Sequence, residues 1–465
     1  MSSGTEDVRH SQHSVYNATG QARPTHLLED LVPASLENGW HVARNLRKPL
    51  NHLELLRGKE DLAVKLNLHN LLTPKEQFDA NFELLREHQA RRLTTDRVVQ
   101  ALGRQTGLDT PLVAKWLREY ATITHAEFHP TDVCNLSCVE CSYGHDDPEL
   151  KPPPIQFLFH AIDRISQFRP RSIVIIGGGE PTLYKNSGRS FGDVIEELVR
   201  TNPGVSLAVV TNGTHRPPGD WVRHIKWIRL SLDASTPETY DSFRGQALFD
   251  RVLQNLIRYL ETDIPQVGVS FLFAKQNVKE YADVARLVFD LVQKHNPEAI
   301  ARVNIQYRPL RRDPYRYSEA FEEAVSSSDI ERAVQEVRAL ADSSEQMHSF
   351  LRNQTNVTAI LGGNSHPPHT FARCYYSQVF HIFRANGDLR PCFIRVHEPE
   401  FILGNILRDS PETIALNTLF VGARRLSHCD EHGCRQCHVN YTFEQGLAGT
   451  IQPSTSLPVL QDPMF

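Results

Sequence analysis

The sequence has no long apolar run, few cysteines and little charge imbalance, and each shortage excludes a class of protein. No stretch of about 18 apolar residues occurs, so a membrane-spanning helix is not expected. The N-terminus is polar and lacks the apolar core of a secretion signal. A net charge of −5 in 465 residues gives no reason to expect a nucleic-acid or membrane partner. We therefore predict a cytoplasmic protein whose residues 1–24 form a flexible tail.

The eight cysteines are concentrated in two segments of the chain. Three lie between positions 134 and 141, and five lie between positions 374 and 437. Secreted disulfide scaffolds are short and dense in cysteine, and this chain is neither. In a reducing compartment, clustered cysteines more often bind metal or react. The distribution therefore favours metal or cluster binding over disulfides.

The region 25–125 is predicted to be helical. Thr73 and Pro74 suit the N-cap and the first turn of one helix. The stretch DRVVQALGRQTGLDTPLVAKWLREY predicts two helices around a turn at Gly107, the outline of a helix-turn-helix. Acidic residues balance the basic ones there, so we expect packing against the next domain rather than DNA binding.

Short β-branched runs alternate with amphipathic helical stretches between residues 126 and 310. The predicted strands are AEFHPTDV, SIVIIGGG, SLAVVTNG, WIRLSLDA, VGVSFLFA and RVNIQYRP. This alternation indicates parallel strands with crossover helices, in an open barrel or a doubly wound sheet. In either fold the functional residues lie at the carboxyl ends of the strands.

The first cysteine cluster follows the first predicted strand with the spacing C-x3-C-x2-C, which places Cys134, Cys138 and Cys141 together. Three thiolates on a four-iron cluster leave one iron open, and an amino group with a carboxylate can chelate it. A zinc site is the alternative, although zinc favours four ligands or three with a water. The spacing alone leaves both possibilities open.

Small polar residues close the next three predicted strands. Glycines allow a ligand to approach the backbone, and a carboxylate can accept hydrogen bonds from an ammonium group. The other side chains suit a ribose or an amino-acid moiety. The residues are Gly178, Gly179 and Glu180, then Thr211, Asn212 and Gly213, then Ser231 and Asp233. The ordered set is far more specific than any one of these motifs.

With these motifs, residues 126–310 resemble the radical S-adenosylmethionine (radical SAM) superfamily, whose fold is a partial (β/α)6 barrel. The resemblance implies that Cys134, Cys138 and Cys141 hold a 4Fe-4S cluster that binds S-adenosylmethionine. The glycines and carboxylate of the GGE motif, Gly178, Gly179 and Glu180, would bind the methionine amine. The later strand ends, Thr211, Asn212, Ser231 and Asp233, would contact the ribose or carboxylate.

One position departs from the family pattern, because Glu140 stands where an aromatic residue often precedes the third cysteine. We therefore expect Tyr143 to contribute to adenine binding. The implied reaction starts with one electron from a donor such as flavodoxin or ferredoxin. Cleavage of the cofactor's C–S bond then gives a 5′-deoxyadenosyl radical, which takes a hydrogen atom from the substrate. The protein supplies binding and orientation.

The second cysteine cluster lies in a predicted module at 371–440. Cys374, Gly387 and Cys392 follow the spacing C-x12-G-x4-C, and Asn386 with Gly387 predicts a β-hairpin turn. Three further cysteines follow, Cys429, Cys434 and Cys437. This pattern resembles the SPASM and shorter twitch modules, which hold auxiliary iron–sulfur clusters, and its cysteine number suits the twitch form. A zinc-binding hairpin module is the alternative.

The resemblance implies one auxiliary 4Fe-4S cluster on Cys374, Cys392, Cys434 and Cys437. Cys429 is left over as an alternative ligand, a buried bystander or a hydrogen-atom donor of an epimerase. After the sixth strand, Arg308 and Arg311 are candidates for binding substrate phosphate or carboxylate groups. A solvated basic face is the plainer interpretation of those arginines.

We expect an iron–sulfur enzyme with a helical linker at 311–370 and a tail at 441–465. The favoured substrate is a polar small molecule, a sugar or aminocyclitol in antibiotic biosynthesis, which is oxidised or epimerised. Radical modification of a ribosomal peptide is the alternative, with the N-terminal helices recognising a leader. A DNA-binding iron–sulfur regulator is a remote alternative, since it leaves the ordered strand-end motifs unexplained.

Overall fold

The computed structural model describes residues 78–139, 141, 143, 149–309, 325–352, 354, 374, 376–393 and 395–423. Several predicted features lie outside the described residues. They are the tails 1–24 and 441–465, the start of the helical region with Thr73, and the single residues Glu140, Arg311, Cys429, Cys434 and Cys437.

Three helices open the described chain: α1 (Phe78–Gln89), α2 (Thr95–Thr106) and α3 (Thr110–Tyr120). The Thr94 hydroxyl caps α2, and the Asp109 carboxylate caps α3 by accepting from the Leu112 amide at 3.0 Å. Gly107 ends α2 with φ = 71°, a left-handed conformation that glycine adopts at little cost. The predicted pair of helices around Gly107 is therefore confirmed.

Six neighbouring parallel strands form one side of a nine-stranded sheet, with the last of them at its edge. They are β1 (His125–Phe128), β2 (Ser172–Ile175), β5 (Ser206–Thr211), β6 (Ile225–Ser231), β7 (Gln266–Phe273) and β8 (Val303–Pro309). Between them, β3 (Lys185–Asn186) and β4 (Arg189–Ser190) form a separate hairpin. The parallel strands lie side by side in chain order, without the reversal of a doubly wound sheet. The fold is the predicted partial barrel.

The crossover helices are α4 (Ile155–Ser166), α5 (Phe191–Thr201), α6 (Pro237–Arg244), α7 (Phe249–Leu260) and α8 (Asp283–His295). They include the amphipathic helices expected between the strands, and α6 is a short additional helix before α7. Their apolar faces pack on one face of the sheet, where β-branched residues such as Ile173 and Val209 are fully buried. The opposite face of the strands therefore lines the inside of the barrel.

The C-terminal part begins with α9 (Ser327–Ala341) and α10 (Glu345–Arg352), then adds β9 (Phe380–Phe383), β10 (Asp388–Arg390), β11 (Gly404–Asn405) and α11 (Pro411–Ala423). Short 3-10 turns lie at Pro181–Leu183, Asp220–His224, Val278–Glu280, Pro297–Arg302, Tyr376–Gln378 and Pro399–Phe401. β9 pairs parallel with β1, and β10 pairs antiparallel with β9. Gly387, with φ = 85°, turns this predicted hairpin.

The N-terminal helices pack against α11. The rings of Phe82 and Phe420 lie 5.0 Å apart, and the Thr95 and Thr413 hydroxyls are 2.7 Å apart. We expected the helix pair to pack against the next domain. It packs on the C-terminal helix α11 as well as on the barrel. Among the described residues, no helix is both long and apolar enough to cross a bilayer.

Candidate active site

The loop after β1 carries the first three cysteines and is held by the end of β2. The Gly179 amide donates to the Thr131 carbonyl at 3.1 Å, and the Glu180 amide donates to the Val133 carbonyl at 2.8 Å. Cys134, Cys138 and Cys141 are all partly buried. The Cys141 amide donates to the Cys138 carbonyl at 3.3 Å, so the second half of the motif is a tight turn. The backbone thus fixes the loop against the sheet.

The glycines after β2 are required by this close packing. A Cβ atom on Gly178 would lie 2.1 Å from Asp132 Oδ1, and one on Gly179 would lie 2.1 Å from the Val133 carbonyl oxygen. The sequence suggested that these glycines admit a ligand to the backbone. The structure gives them a first task, which is to let the cysteine loop approach β2.

Glu180 is 2% exposed, and its carboxylate joins the ends of β2 and β5. Its Oε1 accepts from the Thr182 amide at 3.0 Å and the Thr211 hydroxyl at 2.6 Å, and its Oε2 accepts from the Asn212 amide at 2.6 Å. Burial raises the pKa of Glu180, and these donors oppose the shift. The predicted ammonium-binding carboxylate is therefore already engaged within the protein.

Asn212 lies beside the first cysteine. Its Nδ2 donates to Asn135 Oδ1 at 2.9 Å and lies 3.9 Å from Cys134 Sγ. Its Oδ1 accepts from the Thr214 amide at 2.9 Å. The side chain is thus fixed at both ends, with an amide N–H close to a sulfur. Ser231 ends β6 in register with Ser270 of β7.

The Asp233 carboxylate has two partners within the protein. It receives the Arg244 guanidinium and accepts from the Leu272 amide at 2.7 Å. Arg244, at the end of α6, also donates to Cys138 Sγ at 3.5 Å. Burial alone would lower the pKa of Arg244, but Asp233 and Cys138 raise it above its usual value. The sequence analysis missed Arg244 because α6 was not predicted.

Tyr143, which was expected to contribute to adenine binding, packs among charged and aromatic groups. Its ring meets His129 edge-on at 5.1 Å and His397 at 6.0 Å, and Arg384 lies 5.3 Å from its centre. Burial raises its pKa. His129 Nε2 in turn lies 3.1 Å from Glu127 Oε1. Single residues of this kind carry no motif from which the sequence could have identified them.

The inside of the barrel carries an apolar cluster and several polar side chains. The apolar cluster consists of Val174, Ala208, Val210 and Trp227. Glu127 pairs with Val174 across β1 and β2, and Gln306 and Arg308 lie on β8; all three alternate with residues buried in the outer core. Arg308 Nε has no hydrogen-bond partner among the described residues. Burial lowers the pKa of Arg308; Asp233 and Glu127 oppose this shift, and Arg244 adds to it.

Cys374 and Cys392 lie at the opposite end of the parallel strands from the first cysteines. Residue His125, where β1 begins, pairs with Phe380, where β9 begins, so Cys374 precedes that end of the sheet. Cys392 follows β10, which runs back towards the same end. Both cysteines pack against one small apolar cluster with Tyr376, Val379, Phe380 and Ile382. The interior of the barrel lies between the two cysteine groups.

The first site fits a sulfur-bound cluster in its chemistry. Without a metal, burial raises the pKa of the Cys134 thiol to about 12, so coordination to iron is what would make it a thiolate at neutral pH. Arg244 and Asn212 supply N–H groups close to two of the three sulfurs. Among the described side chains, no three His, Cys, Asp or Glu group closely enough to share a single metal ion.

Comparison with known proteins agrees with this site. Residues 128–288 match the model of the radical SAM superfamily. The chain is 28% identical over 190 residues to the mycofactocin maturase MftC of Mycobacterium tuberculosis, which covers 39% of this chain and 43% of that protein. It is 23% identical over 327 residues to the GTP 3′,8-cyclase of Desulforamulus reducens, covering 67% and 93%.

The fold is also similar to that of Streptococcus suis SuiB, with a TM-score of 0.50 and 14% identity over 82% of this chain and 87% of that one. SuiB has been crystallised with the precursor peptide SuiA. The match to the mycofactocin maturase spans less than half of that relative's length. The cysteine loop, the strand-end residues and the parallel strand order all agree with the family that residues 128–288 match, the radical SAM superfamily.

Proposed function

We propose that this protein is a radical SAM maturase that abstracts a hydrogen atom from a peptide substrate. The main support is that hydrogen bonds hold the ends of β2 and β5 together beside the cysteine loop that follows β1. This segment matches the superfamily. When bound, the 4Fe-4S cluster and S-adenosylmethionine supply a 5′-deoxyadenosyl radical. Cys134, Cys138 and Cys141 would hold that cluster.

The chain's own residues hold the cofactor site rigid. Glu180 ties β2 to β5, so that the backbone of Gly178 and Gly179 is held at the edge where the methionine amine would bind. Asn212 is fixed beside Cys134 by its contacts with Asn135 and Thr214. We assign the ribose and carboxylate contacts to Ser231, which is partly exposed at the end of β6, and to the strand end at Thr211 and Asn212. Such preorganisation fixes the direction of hydrogen abstraction.

The substrate would occupy the barrel interior, between the two cysteine groups. Arg308 offers an unpaired guanidinium N–H there, suited to a carboxylate of an acidic side chain or chain terminus. Trp227 and its apolar neighbours would receive the aliphatic part. At the far end, Cys374 and Cys392, with Cys434 and Cys437, are proposed to hold one auxiliary 4Fe-4S cluster.

A peptide substrate is preferred to a sugar because of the chain's likeness to a maturase and to SuiB. The first is a likeness in sequence and the second a likeness in fold. The N-terminal helices are proposed to contribute to recognition. Their apolar faces pack on α11.

A polar small molecule is the second candidate, and the match to 93% of a GTP 3′,8-cyclase favours it. In that case the reaction would be an oxidation or, with Cys429 as hydrogen-atom donor, an epimerisation. A one-electron donor of the flavodoxin or ferredoxin class is required by either candidate.

The test begins with anaerobic reconstitution with iron and sulfide, followed by counting of both elements. The variants are wild type and Cys134/Cys138/Cys141→Ala, and 5′-deoxyadenosine is measured alongside. We expect the triple variant to keep about four irons and to make no 5′-deoxyadenosine. If it keeps none, the C-terminal cysteines hold zinc or nothing.

Substrate class is then tested with peptides encoded by short reading frames beside the gene and with a panel of sugars and aminocyclitols. A peptide that gains a mass change and raises 5′-deoxyadenosine formation supports the maturase. A response confined to the small molecules would replace it with the second candidate. Wild-type protein that makes no 5′-deoxyadenosine under any condition would overturn both.

A further inference from the structure

The carboxyl end of α6 docks on the cysteine loop. The Val139 amide donates to the Phe243 carbonyl at 3.3 Å. Gly245 ends the helix with φ = 70°, and a Cβ atom there would lie 2.6 Å from the Ser137 carbonyl oxygen. The helix end and the loop between Cys134 and Cys141 therefore meet backbone to backbone. A side chain at this helix end has a fixed position relative to the cysteines.

Arg244 is the side chain that uses this position. Its guanidinium donates through Nη1 to Cys138 Sγ at 3.5 Å and through Nη2 to the Asp233 carboxylate. The Arg244 side chain is 14% exposed and that of Asp233 is 3% exposed. A planar guanidinium can serve both partners at once, which a lysine ammonium does with less defined geometry.

Asp233 is itself held by two hydrogen bonds besides its contact with Arg244. Its Oδ1 accepts from the Leu272 amide at 2.7 Å, and its own carbonyl accepts from Asn277 Nδ2 at 2.8 Å. Its backbone has φ = 56°, an uncommon conformation for a residue with a side chain. The carboxylate thus has one orientation, and it fixes the guanidinium against Cys138.

We propose that Arg244, positioned by Asp233, raises the reduction potential of the cluster that Cys138 helps to bind. The inference rests on the proposed function, since it requires that cluster. Reduction adds one electron, and so one negative charge, to the cluster. A nearby positive charge and an N–H donor to a ligand sulfur stabilise the more negative state. Arg244 is a positioning residue in this scheme, and it makes the cluster easier to reduce.

The experiment is a redox titration of reconstituted full-length protein with dithionite and mediators. The reduced cluster is followed by the electron paramagnetic resonance signal that changes when S-adenosylmethionine is added, which separates it from any auxiliary cluster. For Arg244→Met we expect the ratio of reduced to oxidised cluster at a fixed potential to fall at least tenfold. For one electron this equals a potential lower by about 59 mV.

Two variants serve as controls for charge and geometry. Arg244→Lys keeps the positive charge but lacks the planar guanidinium. We expect it to shift the reduction potential less than Arg244→Met does. Arg216→Met removes a cation that packs 5.4 Å from the centre of the Tyr259 ring and that contacts no sulfur among the described residues. We expect the ratio of reduced to oxidised cluster in Arg216→Met to differ less than twofold from that of wild type. If Arg244→Met binds no iron, Arg244→Lys decides the question: a lower potential supports the inference and an unchanged one overturns it.

Asp233→Asn separates positioning from simple charge. Loss of a negative charge near the cluster would by itself raise the potential. If Asp233 acts by holding Arg244 against Cys138, the potential instead falls. A rise overturns the positioning role. Wild-type protein without a signal that responds to S-adenosylmethionine would refute the proposed function, whereas a normal signal with unchanged potential in Arg244→Met refutes only this inference.

Discussion

The carboxylate of Glu180 accepts a hydrogen bond from the Thr211 hydroxyl at 2.6 Å, so that the ends of β2 and β5 are joined by a buried charge. The Asn212 amide and the Thr182 amide donate to the same carboxylate. A carboxylate accepts at both oxygens, whereas an amide presents one acceptor and one donor. The joint therefore depends on the charge state as well as the shape of this side chain.

Glu180→Gln is expected to lower the free energy of unfolding by about 1–3 kcal/mol, because its NH2 group would face N–H or O–H donors that lose their acceptor. Urea unfolding of the iron-free protein measures this. Glu261→Gln, at an exposed position, is the matched control, with an expected change within about 0.5 kcal/mol. Equal effects of the two substitutions would show that the joint does not stabilise the fold.

Gly179→Ala is expected to impair loading of the first cluster. Its Cβ would lie 2.1 Å from the Val133 carbonyl oxygen, so the cysteine loop must move away from β2. Iron counting after reconstitution and urea unfolding both report the change. Gly192→Ala is the control, because its Cβ on α5 would meet its nearest atom at an ordinary 3.7 Å. That variant should be unchanged or slightly more stable. Normal iron content in Gly179→Ala would contradict the prediction.

The sequence was sufficient for the barrel and insufficient for the contacts inside it. β-branched runs identified all six parallel strands, and the turn residues Gly107 and Gly387 lie where the turns were predicted. Strand ends were less well predicted: β1 stops at Phe128 and β2 at Ile175, where the chain turns to pack the cysteine loop against the GGE motif. That packing is a tertiary contact, and no periodic pattern in the sequence predicts it.

Polar side chains were found by motif, and their partners were not. Asp233 was assigned to the cofactor, yet its carboxylate binds Arg244, which lies on a helix too short for a clear periodicity. Glu127 and His129 were missed for a similar reason. A single polar residue in a buried strand does not indicate which residues of other elements it will contact. Such contacts depend on strand register and on the geometry of the crossovers, and local composition predicts neither.

Arg308→Gln is expected to separate cofactor cleavage from substrate turnover. Arg308 lies on the inner face of β8, and its Nε has no hydrogen-bond partner among the described residues. Slow formation of 5′-deoxyadenosine without substrate should stay within about twofold of wild type, whereas product from an acidic substrate should fall by about tenfold or more. Arg308→Lys should recover part of the activity. Equal losses of both products would place Arg308 at the cofactor instead.

His88 makes the docking of the N-terminal helices on α11 sensitive to pH. It is 5% exposed, with Nδ1 at 2.9 Å from Asn417 Oδ1 and Nε2 at 3.1 Å from Thr95 Oγ1. Burial lowers its pKa from 6.5, and the hydrogen bond that His88 donates to Asn417 Oδ1 only partly opposes this shift. The unfolded chain therefore takes up the proton at a higher pH than the folded protein does. Stability from this group is complete above pH 6.5 and is lost as the pH falls towards the folded-state pKa.

We therefore expect the urea midpoint of iron-free wild type to fall more than that of His88→Gln between about pH 7.5 and pH 5.5. The difference is bounded by about 1.4 kcal/mol for each pH unit in which only the unfolded chain is protonated. His295→Gln, at an exposed position, is the control and should keep the wild-type slope. The two proteins differ only at residue 88. If His88→Gln has the same pH dependence of stability as wild type, a group other than His88 causes it.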